Sequence, residues 1–222
     1  MQIKFVAFAL PTPPDPQPRA SYLRRWASRG NSVRSIVALV AHTVGYVNAS
    51  PAQELPPGMT MYRIQAGSLD ASGWAVAEST PGAFAVRTPC AFNDFSMDQS
   101  AANTPVIKSY TLGCLRPDKR KFSATRIQYR NGAKDARSFF ENNAKGEGRP
   151  GAHISRSTYK DMPVVDIAIE NKALCGFLRY VLAHDDVLLL ATEAPRGSCQ
   201  GLDAQSTEFF TSLSVWEHDA QQ

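Results

Sequence analysis

The chain has only four histidines in 222 residues and no GxSxG turn to hold a nucleophilic serine. That pattern leaves little for acid–base or acyl-transfer chemistry to work with. Its four cysteines, Cys90, Cys114, Cys175 and Cys199, are too far apart in sequence to form the paired knuckle of a structural zinc site. No apolar run approaches the roughly 20 residues needed to span a bilayer as a helix. There is no internal repeat. Clustered basic charge is also missing from most of the chain: of 24 Lys and Arg, six lie in residues 1–49 beside a single acid, Asp15, leaving 18 basic against 19 acidic residues. A body so nearly neutral lacks the cationic face that phosphate binding requires, which excludes nucleic acid as the main partner.

The basic excess belongs to a leader. Arg24 to Arg34 form a positive region, Ser35 to Val47 a short apolar one, and the residues around Ala49 and Ala52 are small enough for a signal peptidase. The apolar stretch is interrupted by His42 and Gly45, so a cleaved secretory signal is expected and a membrane span is not. Residues 1–34 read as a leader whose Pro-rich start fits no part of a signal, with Leu23 an alternative start. Arg24-Arg25 fits a twin-arginine signal poorly. Residues 35–52 form the apolar and cleavage region, and a periplasmic or secreted domain is expected over 53–222. An exported chain meets an oxidising compartment, so the even cysteine count predicts two disulfides, with three connectivities open.

The Pro/Gly stretch ELPPGM (54–59) marks the start of the body. MYRIQA (61–66) and WAVAES (74–79) alternate around GSLDASG and read as a hairpin, followed by FAVRTP (84–89). VIKSYTL (106–112) and KFSATRIQY (121–129) form a second hairpin. Ala133 to Ala144 switches to helical spacing, with Ala136, Phe139 and Phe140 on one stripe. PVVDIAIE (163–170), CGFLRYVLA (175–183) and DVLLLATEA (186–194) read as further strands, and 202–215 as a closing amphipathic helix. Short connections favour antiparallel neighbours. The fold class expected is α+β, one antiparallel sheet of about six strands covered by two helices.

This order of elements, with GAFAVRTPCAFNDF, ARSFFENNA and EFFTSLSV as its local marks, resembles the sandwich of PsbP-like and DcrB-like proteins over about residues 83–215. The resemblance implies a fold and an accessory or binding role. No functional motif of the family is matched here, and no lipobox cysteine stands near the leader.

His153, His184, Asp185 and Asp186 are the residues an envelope hydrolase or metal-dependent enzyme would use, since imidazole beside carboxylate is a common functional pairing. His184-Asp185 also stands where a turn is needed. GEGRPG (146–151) matches GxGxxG literally, but a helix precedes it and a strand follows, the reverse of the order a dinucleotide site needs. No cofactor and no metal are expected. Phe139, Phe140, Phe209 and Phe210 could line a ligand groove or pack a core. Arg116, Lys119, Arg120 and Lys121 form the densest cation cluster of the body, a charged hairpin tip that is ordinarily a solvated turn and could make peripheral contact with an anionic surface such as lipid headgroups. The sequence therefore favours a non-catalytic module binding an unidentified envelope protein or small ligand.

Overall fold

The structure is a computed structural model and describes residues 55–145 and 152–216. The leader, its cleavage region and the GEGRPG loop lie outside the described residues.

Among the described residues eleven strands and two α-helices follow one another as β1 (Met59–Ala66), β2 (Ala75–Ser79), β3 (Phe84–Thr88), β4 (Phe92–Asp98), β5 (Val106–Leu115), β6 (Lys121–Tyr129), α1 (Ala133–Ala144), β7 (His153–Tyr159), β8 (Met162–Glu170), β9 (Leu174–Ala183), β10 (Asp186–Pro195), α2 (Leu202–Thr211) and β11 (Ser214–Val215). A 3-10 turn, Arg196–Ser198, leads from β10 toward α2. Eight strands pair antiparallel in the order β1-β4-β5-β6-β10-β9-β8-β7, and three more form a second sheet, β11-β3-β2. The architecture is α+β and antiparallel, but the main sheet has eight strands where about six were expected.

The predicted hairpin of 61–66 with 74–79 does not form. β1 pairs with β4 in the main sheet and β2 with β3 in the small one. The connection crosses between sheets at Gly67, which sits at φ +93; a Cβ there would stand 2.9 Å from the Phe92 ring. The closing helix also stops at Thr211, and Ser214–Val215 pairs with β3 instead.

Strand alternation gives the main sheet two buried faces. On β10, Val187 and Leu189 face α1, whereas Leu188, Leu190 and Ala194 face the small sheet and α2. Under α1, Phe139 packs 5.7 Å from Tyr129 and 6.0 Å from Tyr180. On the other face Phe122 is clasped edge-on between Trp74 at 6.4 Å and Phe209 at 5.7 Å. Each such ring pair adds about 1 kcal/mol beyond its area burial.

Cys90 pairs with Cys114 and Cys175 with Cys199, with Cα–Cα distances of 5.8 and 5.9 Å, and each bridge closes 24 residues of chain. Both lie on the small-sheet face. The first ties the exit from β3 to β5, and the second ties the approach to α2 to β9.

Candidate functional site

Three of the four residues singled out for chemistry, His184, Asp185 and Asp186, lie at one end of the main sheet, where β9 turns into β10. His184 and Asp185 are the two residues of that turn, and His184 adopts φ +51, a conformation that non-glycine residues rarely take. Asp185 reaches toward the start of α1: a Cβ on Gly132, the residue preceding the helix, would lie 3.6 Å from its carboxylate. No side chain caps α1 by a hydrogen bond, so the carboxylate faces the positive end of an uncapped helix.

Asp186 points back under the sheet. It accepts a hydrogen bond from Arg126 Nε at 2.7 Å, and the same guanidinium donates to the Gly82 carbonyl at 3.1 Å. The pair is largely shielded, with side-chain exposures of 15% for Arg126 and 11% for Asp186. Burial pushes the Asp186 carboxyl up, opposed by Arg126. Tyr129, on the same strand as Arg126, buries its hydroxyl with no hydrogen-bond partner, and burial drives its ionisation far upward. The arrangement fastens β6 and β10 to the β2–β3 turn.

His153 does not join this corner. It stands opposite Ala168 on β8, which stands opposite Phe177 on β9, and from there to His184 is about seven residues of strand, roughly 23 Å. Among the described residues no three His, Cys, Asp or Glu side chains converge where a metal ion would sit. Of the groups that the enzyme reading needs together, His153 is thus at the opposite end of the sheet from His184, Asp185 and Asp186.

The other sequence features resolve into packing. Phe139 and Phe140 belong to the core under α1, Phe209 and Phe210 to the core on the opposite face, so the four do not line one groove. Of the basic cluster, Arg116 and Arg120 flank Asp118 at 3.4 and 3.5 Å and Lys121 pairs with Glu193 at 3.2 Å, which leaves Lys119 as the exposed cation of the tip.

Two polar centres escaped sequence reasoning. Asp94 is 1% exposed and accepts from Ser79 Oγ at 2.9 Å and Arg63 at 3.1 Å, linking both sheets; burial raises its carboxyl, opposed by these two partners. Arg87 donates to Asp70 and Ser72 at 2.8 Å and to Glu208 at 2.9 Å while lying over Trp74, so the 67–74 loop is fixed to α2. Asp70 is held at about 2, chiefly by the Ser72 hydroxyl. The signal for Asp94 was present in FNDF, a carboxylate set between aromatic residues.

No protein-family model and no curated protein matches the chain. Among solved structures it is similar to the solution structure of cyanobacterial PsbP (CyanoP) from Synechocystis sp. PCC 6803, with 10% identity over 68% of this chain and 97% of that one and a TM-score of 0.40. A crystal structure from Bacteroides thetaiotaomicron VPI-5482 matches at 12% identity over 65% of this chain and 50% of that one, with a TM-score of 0.37. Likenesses this distant carry no argument about activity or kinship.

Proposed function

We propose that this protein is an exported, disulfide-stabilised, non-catalytic module of the cell envelope that binds or supports a partner through a PsbP-like sandwich. The observation that carries this reading is the use of the cysteines: all four are consumed in two bridges and no thiol is left free. Structural disulfides persist in oxidising compartments and are rare in the cytosol. The fate of the ionisable groups supports the non-catalytic part. Asp94, Asp186, Arg87, Arg120 and Arg126 are all spent on joining layers, whereas an enzyme needs such groups converging on a reacting atom. Export follows from the basic and apolar leader, with cleavage near Ala49 or Ala52.

Cell fractionation followed by mass spectrometry of the mature N-terminus tests this reading. A periplasmic or secreted product starting near residue 50 or 53 is expected. A cytosolic product that retains residues 1–34 contradicts it. Affinity capture with the mature protein from envelope extract then separates a protein partner from a small ligand.

A further inference from the structure

One part of the main sheet is buried without a described neighbour. On β4, Asp94 faces the small sheet through its bond to Ser79, so strand alternation turns Asn93, Phe95 and Met97 the opposite way. They are only 2%, 2% and 8% exposed, and Thr111, beside Phe95 on β5, is 2% exposed. Phe95 and Met97 nevertheless belong to neither of the two cores. The described helix on this side, α1, packs on β6, β9 and β10, and among the described residues no element lies over β4 and β5 here. Burial this complete calls for a cover, because a large side chain on a bare sheet face keeps much of its surface in water.

The patch suits an apolar cover. At its edge β1 sets Met59 opposite Met97 and Met61 opposite Phe95, so three of the chain's five methionines line it, and thioethers adapt to an irregular apolar partner. Its polar groups are bonded among themselves: Asn93 Oδ1 accepts from the Gln65 N–H at 2.9 Å, and the Thr111 and Thr125 hydroxyls share a bond at 3.0 Å. The chain also enters the fold at this corner, where the Gly58 carbonyl accepts from the Asp98 N–H at 2.8 Å, next to Met97. Before it come residues 48–54 and then the apolar stretch Ser35–Val47, in which Ile36, Val40, Val44 and Val47 recur at helical spacing with Ser35 and His42 on the other side. As a helix that stretch is about 20 Å long against about 13 Å from Asn93 to Met97, and the connector reaches up to about 24 Å. Residues 146–151 and 217–222, GEGRPG and EHDAQQ, are polar. The apolar run Ile3–Leu10 lies beyond a proline-rich stretch and much further from β1, so its effective concentration at the patch is lower.

We propose that residues 35–47 dock as a helix on the Phe95–Met97 face of the main sheet in the chain that carries its leader, as an intramolecular cover over β4 and β5. The drive is burial of apolar surface on both partners, the Ile36–Val40–Val44–Val47 stripe against Phe95 and the methionines. This inference goes beyond the function proposed above and does not depend on it, because it concerns the uncleaved chain. Cleavage near Ala49 or Ala52 removes the cover and opens the face.

The test uses the full chain, made in an oxidising cell-free system without membranes so that the leader stays attached, and reads methionine oxidation by hydrogen peroxide through peptide mass. Met97 should oxidise about tenfold faster in Val40→Asp/Val44→Asp than in wild type, because a covered thioether reacts only when its cover opens. Met162, which packs against the core on the opposite face, should oxidise at the same rate in both. Independently, p-benzoylphenylalanine in place of Val44 should crosslink on irradiation to the peptide carrying Phe95 and Met97. Equal Met97 rates, protection of Met97 that is lost on dilution as a second copy would give, or protection lost in Phe5→Asp/Phe8→Asp but kept in Val40→Asp/Val44→Asp would overturn the proposal. Should the Val40→Asp/Val44→Asp chain fail to fold, the crosslink decides alone: an adduct elsewhere in the domain, or none, overturns it.

Discussion

The two faces of the main sheet are covered by different means. On one, the small sheet and α2 are attached by two disulfides, by the buried Asp94–Ser79 bond, by Arg126 reaching Gly82, and by Arg120 gripping the approach to α2. On the other, α1 is held by Phe139 and Phe140 packing on Tyr129 and Tyr180, and neither bridge touches it. Its ion pair with β7, Arg156–Glu141 at 3.7 Å, is exposed and so contributes little. The difference follows from the covering elements. A helix with an aromatic stripe buries enough apolar area to stay in place, whereas a three-stranded sheet of short strands and a ten-residue helix gain from being tied down.

Removing the ties should have the largest effect. Each bridge adds about 3 kcal/mol by restricting the unfolded chain. Full reduction is therefore expected to lower the melting temperature by roughly 10–20 °C. Unchanged melting under reductant would remove the contrast between the faces.

Arg126→Met leaves Asp186 buried without its guanidinium and should cost about 3–5 kcal/mol in urea unfolding at pH 7. Adding Asp186→Asn should restore much of that. The variant also has a pH signature. Asp186 and Asp94 have carboxyls raised by burial, so their contribution is fully present below about pH 4 and fades as pH rises through the raised values. Arg126→Met should exaggerate this for Asp186, making the variant recover stability on mild acidification.

On the α1 face, Phe139→Ala should cost about 3–4 kcal/mol. If α1 depends on packing alone, hydrogen exchange should show its amides opening before those of β5, β6 and β9. Tyr129→Phe removes a buried hydroxyl that has no partner and should be neutral or stabilising by up to about 1 kcal/mol. His184→Gly relieves a positive φ and should stabilise by a similar or smaller amount, read as a small rise in denaturation midpoint.

Much of the fold was legible because burial imposes a period. β6 and α1 span the residues their spacing predicts, and β8, β9 and β10 agree within a residue at each end. The misses have physical causes. β4 is buried on both faces yet carries Asn93, Asp94 and Ser96, so no alternation marks it. β7 is an edge strand exposed along its length up to Tyr159, so no alternation marks it. The β1–β2 hairpin looked local because both strands alternate, and spacing cannot tell that consecutive strands enter different sheets. At the candidate site, the turn at His184-Asp185 was readable from turn chemistry, whereas the Arg126–Asp186 pair depended on a register that places Gln128 opposite Asp186. The disulfide count was readable from the even number of cysteines; the pairing required the fold.

The central claim is that oxidised sulfurs hold one layer of this protein to its main sheet. Peptide mapping under non-reducing conditions, on protein isolated from its native compartment with thiols blocked at lysis, tests it most directly. Two linked peptide pairs, Cys90 with Cys114 and Cys175 with Cys199, are expected. Four blocked thiols, or crossed linkages, would contradict it.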